Sequence, residues 1–174
     1  MQKIGRPESS EIAPHAKVYV DLVPGDDPLA TLSEQIERTL GLLNEIGDER
    51  GSSFRYAPGK WTAKEIAGHL TDTERIFAYR ALRIGRQDAT PLPGFEQDGY
   101  VRTAGSNERM LEEMLDELRL VRQASLALFR GLPEAAWIRQ GRVSDWNLTV
   151  RGIAFTAAGH ELHHYRILRE RYAA

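Results

Sequence analysis

The chain has 174 residues, 41% of them hydrophobic and 28% charged, and its 23 basic and 25 acidic residues leave a formal net charge of −2. This composition fits one soluble globular domain with its own core, and the balanced charge gives no electrostatic ground for binding nucleic acid or a membrane surface. There is no cysteine, which excludes a disulfide framework, thiolate metal ligands and a cysteine nucleophile: any metal must sit on nitrogen and oxygen, and any thiol must come from outside the chain.

Residues 1–27 read as an irregular N-terminal arm, polar and interrupted by Pro7 and Pro14, with a short extended piece expected around Val18 to Val23. The arm lacks the apolar stretch of a signal peptide. No apolar run approaches the roughly 20 residues of a membrane span, so a cytoplasmic location is expected. The domain proper is expected over residues 28–174.

The first long helix starts at Asp27-Pro28, aspartate suiting the cap and proline the first helical position. Leu29, Leu32, Ile36, Leu40, Leu43 and Ile46 then form one apolar stripe. Thr62 and Glu65 spell a capping box for a second helix running to about Arg86, with Ile66, His69, Thr73, Ile76 and Arg80 on its inner face. Residues 87–105 form a long proline- and glycine-bearing loop, of the kind that is often functional in a compact domain. Ser106 is a candidate cap for the third helix, whose stripe is Met110, Met114, Leu118, Val121, Ser125, Leu128 and Leu132. A second long connection follows over residues 133–147, and the last helix runs from about Thr149 nearly to the end. Each helix is roughly 33 to 40 Å long at 1.5 Å per residue. No segment alternates long enough to predict a core strand. The expected fold is therefore all-α: an antiparallel four-helix bundle with an irregular arm and long loops after helices 2 and 3.

The last helix carries the chemistry. Val150, Ile153, Ala157, His160, His164 and Ile167 follow a three-four spacing, so two histidines occupy core positions one turn apart on one face. Imidazoles so placed can share a divalent ion about 2 Å from each nitrogen. His69 lies on the inner stripe of the second helix, and the three are expected to meet as one metal site. Three buried imidazoles without metal would leave ring nitrogens short of partners. His163 lies about 100° away around the helix and is excluded from the set; His15 reads as a surface residue. His160, Glu161 and His164 also spell the zinc-protease motif H-E-x-x-H. The context argues against a protease. Only ten residues follow His164, Ile167 and Glu170 stand where an extended motif needs glycine and histidine, and no sheet to hold a peptide substrate is expected before the helix. Glu161 reads as solvent-facing, with a place near the metal as the alternative.

The stretches Trp61 to Glu74, Pro93 to Val101 and Gly159 to Leu168 resemble, in order, the second helix, the following connection and the last helix of the DinB/YfiT-like superfamily. The resemblance covers the chain from about residue 28 and leaves the arm without a counterpart. It implies a four-helix bundle with a three-histidine divalent-metal site, usually nickel or zinc, and carries over His69, His160 and His164 as ligands. It also implies a homodimer and either a metal-dependent hydrolase or an S-transferase using a low-molecular-weight thiol; many members are of unknown activity.

Three neutral imidazoles leave the ion's charge intact, with open positions of the catalytic type. Such an ion acidifies a water or a thiol alike. Asp72 is the candidate orienter of His69. Asp98 and Glu96 are candidates to cover the open side, with a solvated surface role as the alternative. Trp61 and Trp146 read as packing anchors of helix starts, and Arg80 as a partner for either a substrate carboxylate or a glutamate on another helix. The functional expectation is a metal-dependent enzyme in which activated thiol or water attacks a small electrophile. The alternatives are a non-catalytic metal-binding or stress-response module and a metal-free structural bundle.

Overall fold

A computed structural model describes residues 4–173. The long helices are α2 (Pro28–Arg50), α3 (Ala63–Gly85), α5 (Leu111–Arg130) and α6 (Val150–Ile167); α1 (Lys17–Val20) and α4 (Gln97–Thr103) are short, and β1 (Gln140–Val143) and β2 (Trp146–Thr149) form a hairpin. Helix starts follow the local chemistry. Asp27 accepts hydrogen bonds from the Leu29 and Ala30 amides with Pro28 at the first position, and Thr62 and Glu65 form the capping box reciprocally.

The four long helices form a ring in which α2 packs on α5 and α6, and α3 packs on α5 and α6. Consecutive helices α2 and α3 therefore lie across a diagonal. The expected antiparallel relation holds for α2 with α5, where Arg119 reaches Glu37 and Arg130 reaches Ser33. It holds also for α3 with α6, where His69 near the start of one meets His160 near the end of the other. The other neighbours run parallel: Gly68 faces Met114 while Gly85 faces Leu132. This arrangement is what brings the two histidine-bearing stripes side by side.

Several sequence-based expectations are corrected. The arm is not extended around Val18 to Val23: α1 and two 3-10 turns, Ser9–Glu11 and Pro14–Ala16, make it a chain of short helical pieces. Ile12, Ala13, Ala16, Val20 and Val23 are buried with Phe155 and Ala158 of α6, so apolar burial, not local strand propensity, decides its conformation. The Arg6 guanidinium donates to the Val20, Val23 and Gly25 carbonyls at 2.8–2.9 Å, and Arg151 binds Glu11. The close approach rests on glycine: a Cβ at Gly159 or Gly152 would overlap the carbonyl oxygens of Tyr19 and Glu11.

The third long helix begins at Leu111, not after Ser106, because extended backbone at Arg109 and Met110 separates it from the 3-10 turn Ser106–Glu108. Its buried stripe is Met114, Leu115, Leu118, Arg122, Ser125, Leu126 and Phe129, with Met110 exposed. The two connections hold structure of their own: α4 in the first and the β hairpin in the second, closed by a two-residue turn with Ser144 at φ 52°. The loops also pair with each other, since Leu92 N donates to Arg142 O and Ser144 N to Leu92 O.

Candidate metal centre

His69 on α3 and His160 and His164 on α6 are 4%, 7% and 9% exposed. Each offers a ring nitrogen within 4.8 Å of the others, an arrangement that could hold a metal ion. Two of these atoms, His69 Nε2 and His160 Nε2, stand 3.0 Å apart. Nitrogens each about 2.1 Å from a common ion are roughly 3.0 to 3.4 Å apart at octahedral or tetrahedral angles, so the spacing fits a shared ion. His164 Nδ1 is buried with no hydrogen-bond partner, an uncompensated cost unless a ligand or ion meets the ring. Burial pulls His69 down to about 4; burial first, and then the neighbouring imidazoles, bring His164 to about 3, and His160 is lowered well below 6.5 for the same reasons. All three rings are thus neutral near pH 7, the protonation state a metal requires.

Trp61 closes one side of the triad, its ring 4.7 Å from that of His69 and stacked at 6.3 Å on that of His164. Thr73 Oγ1 lies 3.4 Å from His69 Nδ1, one turn along the same face, and takes the place expected of Asp72. The Asp72 carboxylate instead faces Arg75 at 3.6 Å, because it lies on the flank of α3 toward α5.

The opposite side opens into a cavity of about 340 Å³ lined by His69 and His160, within the size range of small-molecule sites. Its walls are Thr73, Phe77 and Arg80 of α3, Ile153 and Thr156 of α6, Gly94 and Phe95 of the first loop, Val143, Ser144, Trp146 and Leu148 of the hairpin, and Ile12, Ala13, His15, Ala16 and Tyr19 of the arm. Trp146, expected as a packing anchor, is exposed and belongs to this wall, as does His15. Tyr19 meets the His160 and His163 rings edge-on at 5.4 and 5.3 Å.

No carboxylate is among the described lining residues. Glu96 caps α4 by accepting from the Asp98 and Gly99 amides, and Asp98 is exposed in the first turn of that helix; neither lines the cavity. Glu161 is not solvent-facing but 3% exposed. It sits in a network that helical periodicity alone does not reveal. Arg122 donates to both oxygens of Glu74 at 2.8 and 2.7 Å, to Glu161 at 2.6 Å and to the Leu32 carbonyl at 2.8 Å. Gln35 adds bonds to Glu161 and to Ala158 O. Burial alone would lower the Arg122 pKa; the Glu161 and Glu74 carboxylates overcome it and raise it. The signal was present: a charged residue four places after Leu118 on a buried stripe requires counter-charges on facing helices.

A sequence profile described as the DinB superfamily matches residues 31–168. Curated proteins give no match. Among solved structures, YfiT from Bacillus subtilis superposes with a TM-score of 0.69 at 17% identity, covering 94% of this chain and 89% of that one. YfiT is described as a probable metal-dependent hydrolase with an unusual four-helix bundle topology. At this identity the likeness speaks for the fold.

Proposed function

The chain belongs to the DinB superfamily, and from that premise we propose that it is a divalent-metal-dependent enzyme acting on a small electrophile, with His69, His160 and His164 holding the metal. The observation that carries this reading is the opening of the neutral triad onto a substrate-sized cavity whose described lining has no carboxylate. The described lining offers no carboxylate as general base, and His15 is its one histidine outside the triad; activation of the nucleophile is therefore assigned to the metal. Nickel and zinc suit an all-imidazole donor set, and the ion supplies Lewis acidity, lowering the pKa of a water or thiol nucleophile into the neutral range.

The chain's own residues supply the rest. The three imidazoles present lone pairs, and Thr73 positions the His69 ring so that Nε2 faces the site. Trp61 excludes water from the closed side. Phe77, Ile153 and the arm give the cavity an apolar wall that strengthens electrostatic interactions inside it. Glu161 is a structural anchor, held by Arg122 and Gln35, so the protease-like motif does not imply a protease base.

The nucleophile is water in a hydrolase or an external low-molecular-weight thiol in an S-transferase; the description of YfiT supports the first, and the family resemblance admits both. The test is a screen of nickel- and zinc-loaded protein against thiols paired with electrophiles, alongside ester and amide substrates without thiol. A metal-dependent turnover abolished by His160→Ala is expected. Stoichiometric metal binding with no turnover in either arm would make the protein a non-catalytic metal-binding module. A homodimer is proposed on the same resemblance and is checked by sedimentation.

A further inference from the structure

We propose that Arg80 binds the carboxylate of the substrate, so that the electrophile is a small organic acid spanning the cavity from Arg80 to the triad. The proposal rests on the metal-enzyme reading and specifies its substrate class.

Two arginines are buried among the described residues, Arg80 and Arg122, and they are provided for differently. Arg122 has two carboxylates. Arg80, 8% exposed, has no carboxylate within 4.0 Å among the described residues. Its guanidinium donates once, from Nη2 to the Pro93 carbonyl at 3.0 Å, and lies 5.7 Å from the centre of the Phe95 ring. A guanidinium has five N–H donors, so most of its donor capacity is left for the cavity it lines. A buried cation without a counter-ion is unfavourable, and burial draws the Arg80 pKa below its ordinary value. Nothing charged in the wall competes: the described lining contains no aspartate, glutamate or lysine, and Arg80 is its one arginine.

The placement gives the ligand two ends. Arg80 follows His69 by eleven residues on α3, close to three full turns, which puts both on one face about 16 Å apart along the axis. Side chains on a helix tilt toward its N-terminus, here the triad end. Phe77 and Ile153 line the space between them. The fit is to an apolar body with an anion at one end and a reactive group at the other. A carboxylate matches the planar fork of a single guanidinium, whereas a phosphate dianion calls for more donors than this end supplies.

The experiment measures binding by calorimetry, using the monohydroxamates of succinic, adipic, suberic and sebacic acids against alkyl hydroxamates of equal length. Hydroxamate is the metal-seeking end, and zinc-loaded wild type is compared with Arg80→Met and Arg80→Lys, each checked for fold by circular dichroism. At one chain length or more, the acid should bind wild type on the order of tenfold to a hundredfold tighter than its alkyl counterpart. The preference should vanish in Arg80→Met and be reduced in Arg80→Lys, which keeps charge but loses the fork. Equal affinity of acid and alkyl members at every length, or a preference that survives Arg80→Met, overturns the proposal. A parallel arm uses metal-free protein with 4-phenylbutyrate and its amide. If zinc adds nothing to hydroxamate affinity while this arm keeps an Arg80-dependent preference for the acid, the metal reading fails and the Arg80 assignment stands.

Discussion

At the scale of single residues, the triad is defined by what its rings cannot do. His69, His160 and His164 are pressed toward neutrality by burial before any mutual repulsion is counted. The unfolded chain's histidines titrate near 6.5. Below that pH the unfolded state binds protons that the folded state refuses, so stability is full above about 6.5 and declines as pH falls toward about 4. Metal-free protein should therefore show a lower urea midpoint at pH 5.0 than at pH 7.5, with a slope of about 1.4 kcal/mol per pH unit for each histidine involved. The decline should shrink in His69→Asn; equal midpoints at the two pH values would contradict the buried neutral rings. Thr73→Val tests the orienting contact. It should weaken zinc affinity about tenfold or more while leaving the fold intact, read by competition with a chromophoric chelator. Asp72→Asn should leave that affinity unchanged, since its carboxylate faces Arg75.

At the scale of elements, two devices hold the site in place. Arg122 ties α5 to Glu74 on α3, Glu161 on α6 and the Leu32 carbonyl on α2. Arg122→Met leaves two buried carboxylates without their cation and should destabilise the protein by about 3–5 kcal/mol in urea; a loss under 1 kcal/mol would show the network to be dispensable. The second device is the arm on α6. Gly159→Ala should unseat α1, because the new methyl overlaps Tyr19 O. Hydrogen exchange should then speed up over residues 12–20 while α3 and α5 stay protected. What could be read from sequence at this scale follows from periodicity and caps. Asp27-Pro28 and the Thr62/Glu65 box mark helix starts by local chemistry, and both hold in the structure. The arm, α4 and the hairpin were not legible because none is long enough to establish a period; each strand has four residues. Their conformation is set by contacts distant in sequence, such as the pairing of Leu92 with Val143.

At the scale of the whole molecule, the ring order places α3 beside α6 and sends α2 and α3 across a diagonal. The stripes made His69, His160 and His164 recognisable as inward-facing, whereas their meeting depended on which helices became neighbours. The cavity was less legible still. Its walls combine one face of each histidine-bearing helix with three segments lacking helical period, so Ala13, Tyr19, Phe95 and Trp146 come together only in the folded chain. Arg122 shows the same limit: periodicity puts Val121 on the inner stripe, and only the folded chain turns Arg122 inward to Glu74 and Glu161. The most direct measurement is the metal content of untagged protein purified from nickel- or zinc-supplemented cultures, compared with His160→Ala of confirmed fold. One ion per chain in the wild type, with near-complete loss in the variant, is the expected result. Metal far below one ion per chain in the wild type, or a content unchanged by the substitution, would contradict a metal held by the three histidines.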